Sequence, residues 1–301
     1  MGNPPHGGGR PEASVALWQM RAKGVGMKQN VGILGLGIIG SRVADNLRKA
    51  GHEVFVWSRS ARPVPNFLAS PHEVAEAAGI IQIFVRDSAA LIEAIEDMKP
   101  ALKAGHLIMN HATVSKKATL QAAQLVEETG AAFLDAPFTG SKMAAQNGKL
   151  CYYIGGSDLL LERARPVLEA SAAKILPLGA IGEAMVLKIV TNLVSAVIVE
   201  AVAEAADITK ANGISLERLH EALESNANYS TLIGMKLPAI IKSDFEPHFA
   251  LRNMLKDADF ARELAAEAML KTPALDCTAA AMRAGLDAGK GDLDFSVIGQ
   301  R

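Results

Sequence analysis

The sequence predicts an α/β protein: a doubly wound parallel sheet in the N-terminal domain, followed by an all-α C-terminal domain, the two joined by a long helix. Three observations lead there. Short apolar runs alternate with helical stretches from Asn30 to Ile154, as repeated βα units do. A glycine-rich segment, Gly35-Leu36-Gly37-Ile38-Ile39-Gly40, leads straight from the first apolar run into the first amphipathic one. From Gly182 onward the strand signal stops and Ala, Leu, Glu and Met dominate.

Taken in order, Val31 to Gly37 reads as a buried strand, Ser41 to Ala50 as a helix and His52 to Trp57 as a second strand. Helix Ser70 to Ala78 has Pro71 in its first turn, where a proline loses no hydrogen bond. Strand Ile80 to Val85, helix Ala89 to Met98, strand Leu107 to Met109 and helix Lys116 to Gly130 follow, then strands Ala132 to Leu134 and Leu150 to Ile154. In the helical half, Gly213, Gly234, Pro238, Pro247, Pro273 and Gly285 are read as breakers. Residues 1–26, with an early proline pair and a glycine triplet, are expected to be a disordered extension, and Met27 is a candidate start. The expected domains are 27–180, which binds a dinucleotide, and 181–301, which binds substrate and dimerises; 181–209 is the interdomain helix.

Composition narrows the function. The 301 residues carry 31 Lys and Arg against 32 Asp and Glu, and no basic run exceeds Lys116-Lys117, which argues against a nucleic acid partner. The two cysteines, Cys151 and Cys277, lie too far apart for a CxxC knuckle, and a reducing cytoplasm is expected. The uncharged run Ile189 to Val199 falls short of the ~20 residues of a spanning helix, so no membrane is expected. The histidines show no metal-ligand spacing, and no metal is expected; His111, just after a strand, could line a cofactor cleft.

The glycine segment has the form of a Rossmann loop. Gly35 allows the tight turn, Gly37 lets the backbone approach a pyrophosphate, and Gly40 lets the helix pack close to the strand. The second strand ends in Trp57-Ser58-Arg59-Ser60, with no acid to bind a ribose 2′-hydroxyl. Arg59 between two hydroxyls suits a 2′-phosphate, so the cofactor expected is NADP(H). Lys188 and Asn192 lie four apart on one face of the junction helix, among Met185, Ile189 and Leu193. A lysine so placed suits an acid catalyst for carbonyl reduction, with Asn192 orienting it or the substrate oxygen.

With Asp135-Ala136-Pro137-Phe138-Thr139-Gly140-Ser141-Lys142, the run Gly182 to Asn192 and the pair Lys256-Asp257, these motifs resemble the β-hydroxyacid dehydrogenase family from about Met27 to the end. The likeness is nearest to its glyoxylate/succinic semialdehyde reductases. It implies that Lys188 is the catalytic lysine and Asn192 its substrate-orienting neighbour, and that Thr139, Gly140 and Ser141 grip the substrate carboxylate. It also implies that Phe84, Val85 and Thr113 line the nicotinamide and ribose, and that Lys256 closes over the cofactor. Without the resemblance, Lys256-Asp257 would read as a surface ion pair. The chain departs from the family at Ala112, where a serine is usual, at Arg86-Asp87 after the third strand, and at Ile233, near an aromatic position of the substrate pocket.

The expected activity is NADPH-dependent reduction of a small carboxylate-bearing aldehyde, such as glyoxylate or succinic semialdehyde, to the hydroxy acid. The alternatives are a 3-hydroxyisobutyrate-type dehydrogenase using NAD and, from another class, a non-catalytic NADP(H)-binding module. Imine reductases share the architecture but usually replace the lysine. Val194, Val197, Ile198, Val199 and Val202 give the junction helix more apolar surface than one neighbour covers, so a homodimer or homotetramer is expected.

Overall fold

The computed structural model describes residues 28–300, so the expectations for residues 1–26 and for Met27 lie outside the described residues. Five parallel strands form the main sheet: β1 (Asn30–Leu34), β2 (Glu53–Trp57), β3 (Ile80–Ile83), β4 (Leu107–Asn110) and β5 (Ala132–Asp135), in the order β2-β1-β3-β4-β5. These strands are nearly continuous apolar runs because helices cover both faces. One face packs on α1 (Gly40–Lys49), the other on α2 (Pro71–Ala77), α3 (Ser88–Met98) and α4 (Lys116–Glu127). Ser70, Asp87 and Ser115 cap α2, α3 and α4 by accepting from a backbone amide three residues on. Those caps explain starts at or close to the expected positions.

The strands continue beyond Ile154, where the sequence pattern predicted no further one. A second sheet pairs β6 (Phe138–Thr139) antiparallel with β7 (Leu150–Ile154), and β7 parallel with β8 (Ala172–Pro177). Its backbone bridges to the main sheet at Asp135 and Gly155, and Leu150, Tyr152 and Ile154 of β7 share a core with Met109 and Leu134. Strand β8 was illegible because none of it is fully buried, it lacks alternation and it ends in a proline. Helices α5 (Lys142–Gln146) and α6 (Asp158–Leu168) complete this part.

Helix α7 (Glu183–Ala211) follows, with α8 (Leu216–Glu224), α9 (Thr231–Lys242), α10 (Leu251–Glu267), α11 (Pro273–Asp287) and a closing 3₁₀ turn at Phe295–Gly299. Three expected breakers lie inside helices. Gly234 is in α9, where a Cβ would fall 2.4 Å from Tyr229 Oη; Gly285 is in α11 against Leu251 at 2.9 Å. Close packing, not chain reversal, accounts for both glycines. Pro238 also lies within α9.

At 29 residues α7 extends about 44 Å, so by length and composition it is long and apolar enough to cross a membrane, which the shorter run Ile189 to Val199 did not suggest. Its polar residues Lys188, Asn192 and Glu200 are nevertheless buried against protein. Of the valines expected to form an interface, Val199 and Val202 are buried in the helical core of α9 and α10. Val194, also expected there, is exposed, and with Leu187 and Val190 it forms the exposed apolar stripe. Met185 and Ile189 of α7 and Ala258 and Ala261 of α10 enter the same core as α2, α3 and α4, so the two halves meet in one apolar layer.

Candidate active site

The glycine loop leaves β1 between the ends of β2 and β3. Gly35 has φ +100°, and a Cβ there would meet the Phe84 carbonyl; a Cβ on Gly40 would meet the Gly35 carbonyl. Nothing lies within 4 Å of where a Cβ of Gly37 would stand. The first and third glycines are therefore required by packing, while the second presents open backbone. Leu36 is buried and Ile39 packs on the core, so amides, not side chains, are what this loop offers. Helix α1 opens with no side-chain cap, leaving its first amides to an anion. The residues present thus fit a dinucleotide pyrophosphate.

Beside the loop lie two cavities that share Arg59, Arg86, Ala90 and Glu93 as walls. One adds Gly35, Trp57, Phe84 and Val85; the other, about 530 Å³, adds Lys256 and Phe260 from α10. That volume is within the range of small-molecule sites, ~300–1,000 Å³. Ser58 and Ser60 line neither cavity; the Ser58 hydroxyl donates to the Ser60 carbonyl at 2.7 Å and so shapes the turn that carries Arg59.

A continuous hydrogen-bond chain runs from α7 to this cleft. Lys188 Nζ donates to Asn192 Oδ1 at 2.9 Å, and Asn192 Nδ2 donates to Asp257 Oδ2 at 2.6 Å. Lys256 Nζ donates to Asp257 Oδ1 at 2.7 Å and to the Thr113 carbonyl at 2.5 Å, bridging the two halves. Thr113 is thus joined through its backbone. Lys188, Asn192 and Asp257 are all buried, Asp257 completely. Burial lowers the Lys188 ammonium to about 8, opposed by the Asp257 carboxylate and assisted by the nearby Lys256. An ammonium at this value is mostly protonated at neutral pH yet gives up its proton readily, as a general acid must.

Asp135 positions the helix that carries Lys188. Gly182 has no side chain with which to cap α7, and Asp135 Oδ2 accepts from the amides of Gly182 and Met185 at 3.0 and 2.9 Å. Burial pushes its carboxyl up to about 7, against the pull of those amides. His111 is not in the cleft. It is stacked behind Phe84 with ring centroids 4.6 Å apart, bonded through Nδ1 to the Ala136 carbonyl, and burial lowers it to about 4.

Thr139, the last residue of β6, and Gly140 are exposed, and the half-buried Ser141 leads into α5. Gly140 has φ +137°, and Ser141 Oγ accepts from the Ala144 amide, which leaves its proton free to donate. None of the three is hydrogen-bonded to the Lys188 chain; the next residue, Lys142, reaches Glu246 across the two halves at 3.5 Å. Ile233 is buried in the helical core. The sequence reading missed Asp257 as a site residue. The signal was present: Asp257 falls on the stripe Met254, Asp257, Ala258, Ala261, a carboxylate in the apolar face of a helix.

Residues 30–182 match the family described as the NAD binding domain of 6-phosphogluconate dehydrogenase, and residues 182–300 the family described as NAD-binding of NADP-dependent 3-hydroxyisobutyrate dehydrogenase. The chain is 28% identical to the chloroplastic glyoxylate/succinic semialdehyde reductase 2 of Arabidopsis thaliana, over 89% of this chain and 78% of that protein. It is 30% identical to the 2-hydroxy-3-oxopropionate reductase of Escherichia coli K12, over 81% of this chain and 86% of that one. The structure of Mycobacterium tuberculosis 3-hydroxyisobutyrate dehydrogenase with L-serine superposes with a TM-score of 0.82 at 27% identity, over 91% of this chain and 99% of that one. Together the two families cover residues 30–300, the loop at the end of β1 and the helix that carries Lys188 included: the chain belongs to the β-hydroxyacid dehydrogenase family and is an NAD(P)-dependent oxidoreductase of CH–OH groups.

Proposed function

We propose that the chain reduces small aldehydes bearing a carboxylate, glyoxylate or succinic semialdehyde, to the hydroxy acid with NADPH. The observation that carries this reading is the buried Lys188, held by Asn192 and Asp257 in a chain that ends at Lys256 on the cleft wall. The reduced nicotinamide, when bound, supplies a hydride to the carbonyl carbon. Lys188 Nζ stabilises the charge that develops on the carbonyl oxygen and gives that oxygen its proton. Asn192 fixes the lysine through Oδ1, and Asp257 fixes the asparagine. The hydroxyls of Thr139 and Ser141 and the amide of Gly140 hold the substrate carboxylate, which excludes aldehydes without one.

Arg59, in a turn with no carboxylate at the tip of β2, supports NADPH over NADH. The second reading, oxidation of a 3-hydroxyisobutyrate-type substrate with NAD, draws on the likeness to the mycobacterial dehydrogenase. Both cysteines are free, which supports a reducing, cytoplasmic setting. The exposed Leu187, Val190 and Val194 support pairing with a second copy along α7. Chromatographic identification of the product tests the main reading: glycolate or 4-hydroxybutyrate formed at the expense of NADPH supports it. Oxidation of 3-hydroxyisobutyrate with NAD, and no reduction of either aldehyde, overturns it.

A further inference from the structure

We propose that Arg86 is a specificity-determining residue, the second arm of a two-arginine clamp on the 2′-phosphate of the cofactor; this rests on the NADPH reading of Arg59. The strand order β2-β1-β3 puts the ends of β2 and β3 on opposite sides of the glycine loop, so Arg59 and Arg86 approach the cleft from two sides. Both line both cavities beside the loop. The Arg86 mount is defined: Nε donates to Asp87 Oδ2 at 2.7 Å, while Asp87 Oδ1 caps α3 through the Ala90 amide at 2.9 Å.

The Arg86 end of that ion pair is exposed, and the pair contributes little to stability by itself. Its consequence is orientation. With Nε engaged, the two Nη groups remain, and among the described residues neither they nor the Arg59 guanidinium has a protein acceptor. The Arg59 guanidinium and the two Nη groups of Arg86 thus offer donors to the same cleft, where an anion between them would be held from two sides. A phosphate monoester carries ≈ −1.5 to −2 charge and three acceptor oxygens, which two planar forks match. The carboxylates of the cleft are accounted for separately. Asp87 is held by Arg86 and α3, while Glu93 and Asp97, one turn apart beside Ala90 and Ala94, suit the amino edge of a purine.

The test is isothermal titration of the full chain with 2′,5′-ADP and with 5′-AMP, which differ only in the 2′-phosphate. Wild type, Arg59→Ala, Arg86→Ala and Arg86→Lys are compared. The proposal predicts that Arg86→Ala weakens 2′,5′-ADP about tenfold or more, the loss of one charge-assisted contact, with 5′-AMP changed less than twofold. Arg86→Lys, which keeps the charge without the fork, falls between. Because Arg86 is exposed, its removal leaves the fold intact, which a thermal melt verifies. The proposal is overturned if Arg86→Ala leaves 2′,5′-ADP binding unchanged while Arg59→Ala weakens it, or if both ligands weaken equally. A wild type that binds the two ligands alike overturns the NADPH reading itself.

Discussion

The amide of Asn192 donates to the carboxylate of Asp257 at 2.6 Å, and this bond joins the helix that carries Lys188 to the helix that carries Lys256. Asp257 has no exposed surface, and its carboxylate is hydrogen-bonded by Asn192 and Lys256. Asp257→Asn keeps the shape and removes the charge. We expect kcat to fall ~10-fold or more as the lysine loses its orienter. Without the carboxylate that raises it, the Lys188 pKa also falls. A kcat–pH profile of the variant should show its high-pH limb moved to lower pH; a lower rate with an unmoved limb would reduce Asp257 to a packing residue.

The wild-type pH dependence follows from the same lysine. Reduction needs the ammonium, and the folded protein holds it at about 8. Reduction should therefore be level below that pH and decline as pH rises through it, while oxidation of the hydroxy acid gains over the same interval. Rates between pH 6 and 10 in both directions test this; a reductive rate that climbs with pH would contradict it.

The stripe Leu187, Val190 and Val194 predicts self-association. Val194→Asp puts a charge on that stripe and should convert the assembly to monomers in light scattering at micromolar concentration. A wild-type mass equal to one chain would remove the prediction.

Stability of the helical half should depend on Lys236 and Asp294, a buried ion pair 2.8 Å apart. Burial alone would raise the Asp294 carboxyl, but Lys236 and Ser296 hold it below its usual value. An acid lowered in this way adds stability above its unfolded pKa, ~3.9, and loses it as pH falls through the lower folded value. Lys236→Met should cost ~3 kcal/mol at pH 7. Urea denaturation should show the gap between wild type and variant narrowing as pH is lowered through that window.

Much of this was legible because local pattern and tertiary role coincide. The glycine loop, the βα alternation and Lys188 on an apolar helix face each announce their setting in a few consecutive residues. Strand β8 did not, because its partner β7 lies 18 or more residues earlier and none of its own residues is fully buried. Gly234 and Gly285 read as breakers since composition cannot tell a turn glycine from one that admits Tyr229 or Leu251. Asp257 looked like half of a surface pair because its neighbour in sequence, Lys256, carries the opposite charge, whereas its partner in space, Asn192, is 65 positions away from it.

The central claim is that Lys188 donates the proton in NADPH-dependent reduction of a carboxylate-bearing aldehyde. Its most direct test follows nicotinamide absorbance with glyoxylate and succinic semialdehyde, offering NADPH or NADH to wild type and to Lys188→Ala. The account predicts consumption of NADPH by wild type, faster than of NADH, and a fall of ~10²–10⁴ in kcat for the variant with cofactor binding retained. Near wild-type turnover by Lys188→Ala, or wild-type turnover with NADH alone, would contradict it.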